Sequence, residues 1–219
     1  MHSFTLALAT FMSLLCTAAA AQTVCRSNQA QDSEYDRESA VDWPAEARRF
    51  KSSQELASRE GRALRLVVND GKTFELVDCP YGDDGYRYLY ERYDPAGAFH
   101  VVRRIARDDL SYRLVLLRNG ALVSVYGLPI WASEKTRFLT IACSLEPPRG
   151  TLSIQAPAGD ALATEAEFPL PCERESCSAR WDHQTWISVT CLPRGGDAKK
   201  GSEFVLIRGN NGAWNKFGR

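Results

Sequence analysis

Between Pro129 and Phe217 the chain says roughly the same thing twice, and this repetition limits its fold more than any other feature. The first copy runs Ile130-Trp131-Ala132-Ser133-Glu134-Lys135-Thr136-Arg137-Phe138-Leu139-Thr140-Ile141-Ala142-Cys143, followed by Thr151-Leu152-Ser153-Ile154-Gln155 and Ala158-Gly159-Asp160. The second runs Arg180-Trp181-Asp182-His183-Gln184-Thr185-Trp186-Ile187-Ser188-Val189-Thr190-Cys191, followed by Glu203-Phe204-Val205-Leu206-Ile207 and Asn210-Asn211-Gly212. Each copy has a Trp at a strand end, a short polar turn, an apolar strand closing in Cys, and a second hairpin. A repeat of that kind implies stacked antiparallel hairpins. It names an architecture and leaves the chemistry open.

The same period of two extends upstream. Leu64-Arg65-Leu66-Val67-Val68 and Thr73-Phe74-Glu75-Leu76-Val77 flank Asp70-Gly71, a strong hairpin signal. Residues 86–93 and 99–105 flank Asp94-Pro95-Ala96-Gly97, and residues 111–117 and 121–126 flank Arg118-Asn119-Gly120. With the two copies this makes roughly fourteen short strands, with almost no helix after Gly61, so the chain reads as all-β. Each strand should pair with its neighbour in sequence, giving a meander. Grouped by hairpins, the units are 86–126, 129–165 and 178–217, with 63–79 as an extra hairpin. Four-stranded units of about 40–50 residues have the period of propeller blades. Either the extra hairpin and the N-terminal arm complete a small fourth blade, or the units form an open, twisted stack.

At Trp131-Ala132-Ser133-Glu134-Lys135-Thr136-Arg137-Phe138-Leu139 the sequence resembles the WD40-like β-propeller repeat of the TolB type, over about residues 129–217. That repeat carries a Trp-Ser-Pro-Asp-Gly turn before an apolar strand. Here Ala132 intervenes, Glu134-Lys135-Thr136 stands in place of Pro-Asp-Gly, and Trp181-Asp182-His183-Gln184-Thr185 departs further. The resemblance implies a small or incomplete propeller used for protein contacts, and it transfers no catalytic residue.

Residues 1–21 read as a secretory signal peptide. Residues 4–16 are almost wholly apolar, and Ala18-Ala19-Ala20-Ala21 supplies small residues for cleavage before Gln22. The run is short of the ~20 apolar residues of a membrane span, so a periplasmic or secreted protein is expected. A polar arm, 22–43, follows. Pro44 and Gly61 then bracket a short helical segment, 44–61, with Ser52 and Glu55 spaced as a capping box. The β-domain occupies 62–219.

Export changes how the cysteines read. Loss of Cys16 with the signal leaves Cys25, Cys79, Cys143, Cys172, Cys177 and Cys191, an even set suited to disulfides. Six cysteines allow 15 pairings. A hairpin around Asp182–Thr185 places Cys177 nearly opposite Cys191, within disulfide reach. The expected set is therefore Cys177–Cys191, Cys143–Cys172 and Cys25–Cys79. A Cys143–Cys191 bridge would count against blades, because equivalent positions of adjacent blades lie too far apart. No metal or cofactor is expected: Cys172 and Cys177 are four residues apart and His183 stands alone. Asp83-Asp84-Gly85 lacks the alternating oxygen ligands of a calcium loop.

No catalytic constellation is legible. His100 alternates with Phe99 and Val101 on a strand, and Asp182-His183 sits in a turn without a Gly-x-Ser-x-Gly elbow. Asp83-Asp84 and Asp108-Asp109 occupy turn-rich loops. With 27 basic and 27 acidic residues, the chain lacks the basic footprint of a nucleic-acid binder. Arg103, Arg104 and Arg107 form its densest basic cluster. Tyr86, Tyr88 and Tyr90 alternate along one strand face, which is either a partner-binding face or a packed β-face. The function expected is a non-enzymatic module, of inhibitor or immunity type in its finer form, that binds another envelope or extracellular protein. The alternative is an envelope hydrolase with a loop-borne site, for which Asp83, Asp84, Asp182 and His183 are the candidates.

Overall fold

The computed structural model describes residues 42–53, 56–79, 85–106, 110–143, 150–172, 175–193 and 201–218. The 1–21 segment, the arm up to Val41, Asp83-Asp84 and Asp108-Asp109 lie outside them. Among the described residues one α-helix, α1 (Trp43–Ser52), precedes four antiparallel sheets. The first holds β1 (Ala57–Glu60), β2 (Ala63–Val67) and β3 (Thr73–Val77). The second holds β4 (Tyr86–Asp94), β5 (Phe99–Ala106), β6 (Leu110–Leu116) and β7 (Leu122–Val125). The third holds β8 (Ile130–Trp131), β9 (Phe138–Ala142), β10 (Thr151–Ala158) and β11 (Ala161–Pro169). The fourth holds β12 (Glu175–His183), β13 (Trp186–Pro193), β14 (Ser202–Arg208) and β15 (Trp214–Gly218).

Within every sheet the strand order follows the chain, so the meander of blade-like units is present as the hairpin signals require. The helical expectation is too long. Pro44 does sit in the first helical turn, but the helix stops at Ser52, and Ala57–Glu60 is a strand paired with Ala63–Leu66. Gly61 therefore turns a hairpin at φ 54°, rather than ending a helix. Ser52 closes the helix, its hydroxyl donating to the Arg49 carbonyl at 2.8 Å, so it caps no helix start; Glu55 lies outside the described residues.

Three buried clusters join successive sheets. Leu64, Leu66 and Leu76 of the first sheet meet Tyr90, Val102 and Val115 of the second. Phe99, Val101 and Leu114 meet Phe138 of the third. Leu139, Leu152 and Ile154 meet Ile187, Val189 and Leu206 of the fourth. Opposite faces of one strand thus serve different neighbours: in β5, Val101 points to the third sheet and Val102 to the first. The middle sheets are covered on both faces and lose the polar alternation of a half-exposed sheet. In β13 the alternation survives, because the fourth sheet has one open face.

The repeated tryptophans do equivalent work. Trp131, in the first strand of the third sheet, donates its indole N–H to Asp94 Oδ2 in the second sheet at 2.8 Å. Trp181, in the first strand of the fourth, donates to the Ile130 carbonyl of the third at 2.8 Å. Each indole ties its sheet to the one before it. The other oxygen of Asp94 accepts the Ala96 and Gly97 amides, so one buried carboxylate shapes its own turn and receives the indole.

Two disulfides reinforce the second half. Cys143 bonds Cys172, across the ends of the third sheet, and Cys177 bonds Cys191 across directly facing positions of β12 and β13. Each bridge stays within one sheet unit. Cys79 is also disulfide-bonded; its expected partner, Cys25, lies outside the described residues.

Candidate functional site

A groove of about 720 Å³ runs between α1 and β1, the outer strand of the first sheet. Trp43, Ala47, Phe50 and Ala57 supply apolar lining, Ser58 and Gly61 the rim, and Glu46 and Arg59 the polar contribution. The helix sets this geometry because Glu46 and Phe50, four residues apart, project from one side. The Phe50 ring packs 5.4 Å from that of Tyr90. Ala47, one residue on from Glu46, is exposed toward the groove.

Arg59 ties this site together. Its Nε donates to Glu46 Oε2 at 2.7 Å and its Nη2 to Glu46 Oε1 at 3.1 Å, a bidentate pair. Nη1 donates to Asp78 Oδ2 at 2.9 Å, and Nη2 also reaches the Tyr88 carbonyl. The carboxylates continue into β4: Glu46 Oε1 accepts the Tyr90 amide and Asp78 Oδ1 the Tyr88 amide, both at 2.7 Å. Helix, first sheet and second sheet therefore meet at one guanidinium. Arg49 adds a bond to the Tyr90 carbonyl and an ion pair with Glu91, which also pairs with Arg103.

Tyr90 corrects one expectation. It is fully buried and belongs to the core between the first two sheets, so it presents nothing to a partner. Tyr86 and Tyr88 are half-buried, edge to face at 5.4 Å, with the Arg104 guanidinium 4.7 Å over Tyr86. The tyrosine face of β4 points toward the first sheet and α1, and Tyr88 packs on their shared core. Alternation placed the three side chains together; only the covering layer decides which of them sees solvent. Burial pushes the Tyr90 hydroxyl up to about 12, with a bond from Ser53 offsetting part of that, and it raises Tyr88 as well.

His100 is wholly buried. Its Nε2 donates to the Val67 carbonyl at 2.8 Å, which leaves Nδ1 to face the Tyr90 hydroxyl at 3.4 Å. Burial lowers its pKa below the ordinary 6.5, and the bond to Val67 only partly opposes this. The unfolded chain then binds more protons just below pH 6.5, so stability is full above that pH and is lost as pH falls through the depressed value. His100→Gln should remove this component. Urea titrations at about pH 7.5 and about pH 5.5 should show a smaller acid loss in the variant than in the parent. Equal losses would mean that His100 carries none of the pH dependence.

The structure places Asp182 and His183 side by side in sequence but in separate interactions. Asp182 Oδ1 accepts Arg180 Nε at 2.9 Å and Oδ2 accepts the Ser188 hydroxyl, while His183 Nδ1 lies 3.3 Å from Thr185 Oγ1. Arg103 and Arg104 belong to β5, where they engage Glu91 and Tyr86. Cys143, Cys172 and Cys177 bring three sulfur atoms within 4.8 Å of one another, all held in disulfides. No helix among the described residues is long and apolar enough to cross a membrane.

The groove and its buried ion cluster carried no local sequence signature, because Glu46, Arg59, Asp78 and Tyr88 come from four separate elements or connections. A lone Glu amid the helical pattern Trp43-Pro44-Ala45-Glu46-Ala47 was the one available hint.

No protein-family model and no curated protein matches the sequence. Among solved structures the chain is similar to a Bacteroides fragilis protein assigned as a 6-phosphogluconolactonase, at 12% identity and a TM-score of 0.37. The match covers 74% of this chain and 55% of that one, so this chain spans about half the length of that structure. A likeness of that size carries neither a fold argument nor an activity across.

Proposed function

We propose that the protein is an exported, disulfide-stabilised binding module that takes an extended segment of another envelope or extracellular protein in the groove between α1 and β1. The supporting observation is the groove itself: apolar side chains beside the outer strand of a sheet that has three strands, where each of the others has four. An extended segment laid along β1 would add a fourth strand, gaining main-chain hydrogen bonds from the edge and side-chain burial from Trp43, Ala47 and Phe50. Export rests on the N-terminal sequence, and the paired cysteines are in keeping with an oxidising compartment. An inhibitor or immunity role toward an envelope hydrolase is the finer form of this reading.

The test is capture of a named partner from envelope extract by the oxidised mature protein, with Ala47→Glu and Tyr86→Ala as paired variants. Ala47 is exposed on the helix, where Glu is well tolerated. The expected result is at least about tenfold weaker capture by Ala47→Glu, because a charge then enters an apolar contact, with little change for Tyr86→Ala. Equal capture by parent and Ala47→Glu would move the interface away from the groove.

A further inference from the structure

The open face of the fourth sheet carries a separate depression of about 340 Å³. In β13, Ile187, Val189 and Cys191 are buried against the third sheet, which leaves Trp186, Ser188 and Thr190 on the opposite side. Strand register adds Arg180 and Val205 beside Ser188, and Glu203 beside Thr190. Trp186 is 39% exposed at one end. The polar groups are already positioned: Asp182 holds the Arg180 Nε with one oxygen and the Ser188 hydroxyl with the other. The Ser188 proton is therefore committed, and its oxygen remains able to accept. Among the described residues, the side chains of Thr190 and Glu203 have no hydrogen-bond or ion-pair partner, and no bond uses the Arg180 Nη groups.

We infer that this depression binds a neutral oligosaccharide, with the C–H face of one ring against the Trp186 indole and its hydroxyls between Arg180 and Glu203. A sugar ring presents an apolar C–H face and a rim of hydroxyls that both donate and accept. The indole, with its electron-rich face, suits the first. A guanidinium and a carboxylate offered from the two strands that flank β13 suit the second, because one only donates and the other only accepts. Arg180 offsets one of the two carboxylates, Asp182 and Glu203, so the site carries a net negative charge and disfavours an anionic ligand. The Ser188 hydroxyl, already bonded to Asp182, needs little reordering on binding. The site is separate from the groove on the first sheet, and either proposal can fail alone.

The experiment is titration of the oxidised mature protein with chitotriose, cellotriose and maltotriose, followed by calorimetry and by the indole N–H resonances. At least one should bind with a Kd on the order of 1 mM, weakened roughly tenfold in both Trp186→Ala and Glu203→Gln. Glu203→Gln keeps the side-chain shape on an exposed position, so its folding is not in question. No binding of any of the three at about 20 mM overturns the proposal, as does binding that neither variant weakens. Sedimentation of parent and Trp186→Ala is run alongside: self-association that the substitution abolishes assigns this face to a second copy of the chain and likewise overturns it.

Discussion

Arg59→Met should lower the unfolding free energy by about 3–5 kcal/mol, because it removes the guanidinium that two buried carboxylates share. The side chains of Glu46 and Asp78 are each 1% exposed and that of Arg59 is 8% exposed. Exposed pairs in the same sheet offer the contrast: Arg65 meets Glu60 and Glu75 at the surface, where such contacts contribute about 0–1 kcal/mol. A companion variant separates charge from packing. Arg59→Met combined with Glu46→Gln and Asp78→Asn removes these three charges but keeps an oxygen to accept the Tyr90 and Tyr88 amides. Replacing a whole buried cluster by neutral groups is often close to neutral, so the triple variant should recover most of the loss. Urea titration of the two variants measures this. A triple variant as unstable as the single one would mean that Arg59 acts through its own packing and its bond to the Tyr88 carbonyl.

Local pattern read the strands well, since hairpin turns and a period of two are short-range signals. Gly120 (φ 67°) turns its hairpin in the left-handed conformation expected of Arg118-Asn119-Gly120. Cys177 and Cys191 were pairable for the same reason: counting outward from the Asp182–Thr185 turn sets the register, and β12 and β13 face each other at those positions. The errors arise where a second layer decides. Ala57–Glu60 lacks β-branched residues and follows a helix, yet it becomes a strand by pairing with β2, which places Ala57 opposite Leu66 in the same buried cluster. Tyr90 is lost to the core by the placement of Phe50 from α1. The ion cluster at Arg59 joins residues up to 44 positions apart, with Glu46 reaching the Tyr90 amide. Spacing along the chain holds no record of such a meeting. The same limit hid the groove, whose walls come from a helix and a strand edge.

The disulfides should stabilise the two halves of the chain unequally. Cys143–Cys172 closes a sequence separation of 29 and Cys177–Cys191 one of 14. Loop-closure entropy then assigns them about 3.6 and about 3 kcal/mol, the longer loop contributing more. Alanine is the fitting replacement, because Cys172 and Cys191 are fully buried and a serine hydroxyl there would need a partner. Three of the four sulfur atoms lie within 4.8 Å of one another, so the bridges share an environment and the quadruple variant should cost less than the sum. Even so, a loss of several kcal/mol is large against the 5–15 kcal/mol that holds a typical domain together. The loss is also localised. Ile187, Val189 and Leu206 pack against Leu139, Leu152 and Ile154 in the cluster that contains the bridges, whereas the first and second sheets meet through Leu64, Leu66 and Tyr90. Amide exchange on the quadruple variant should therefore show early loss of protection across 150–169 and 175–193, with 63–67 and 99–105 protected longer. Uniform loss across all four sheets would show that the sheets open as one cooperative unit, and the bridges would then act on the whole stack.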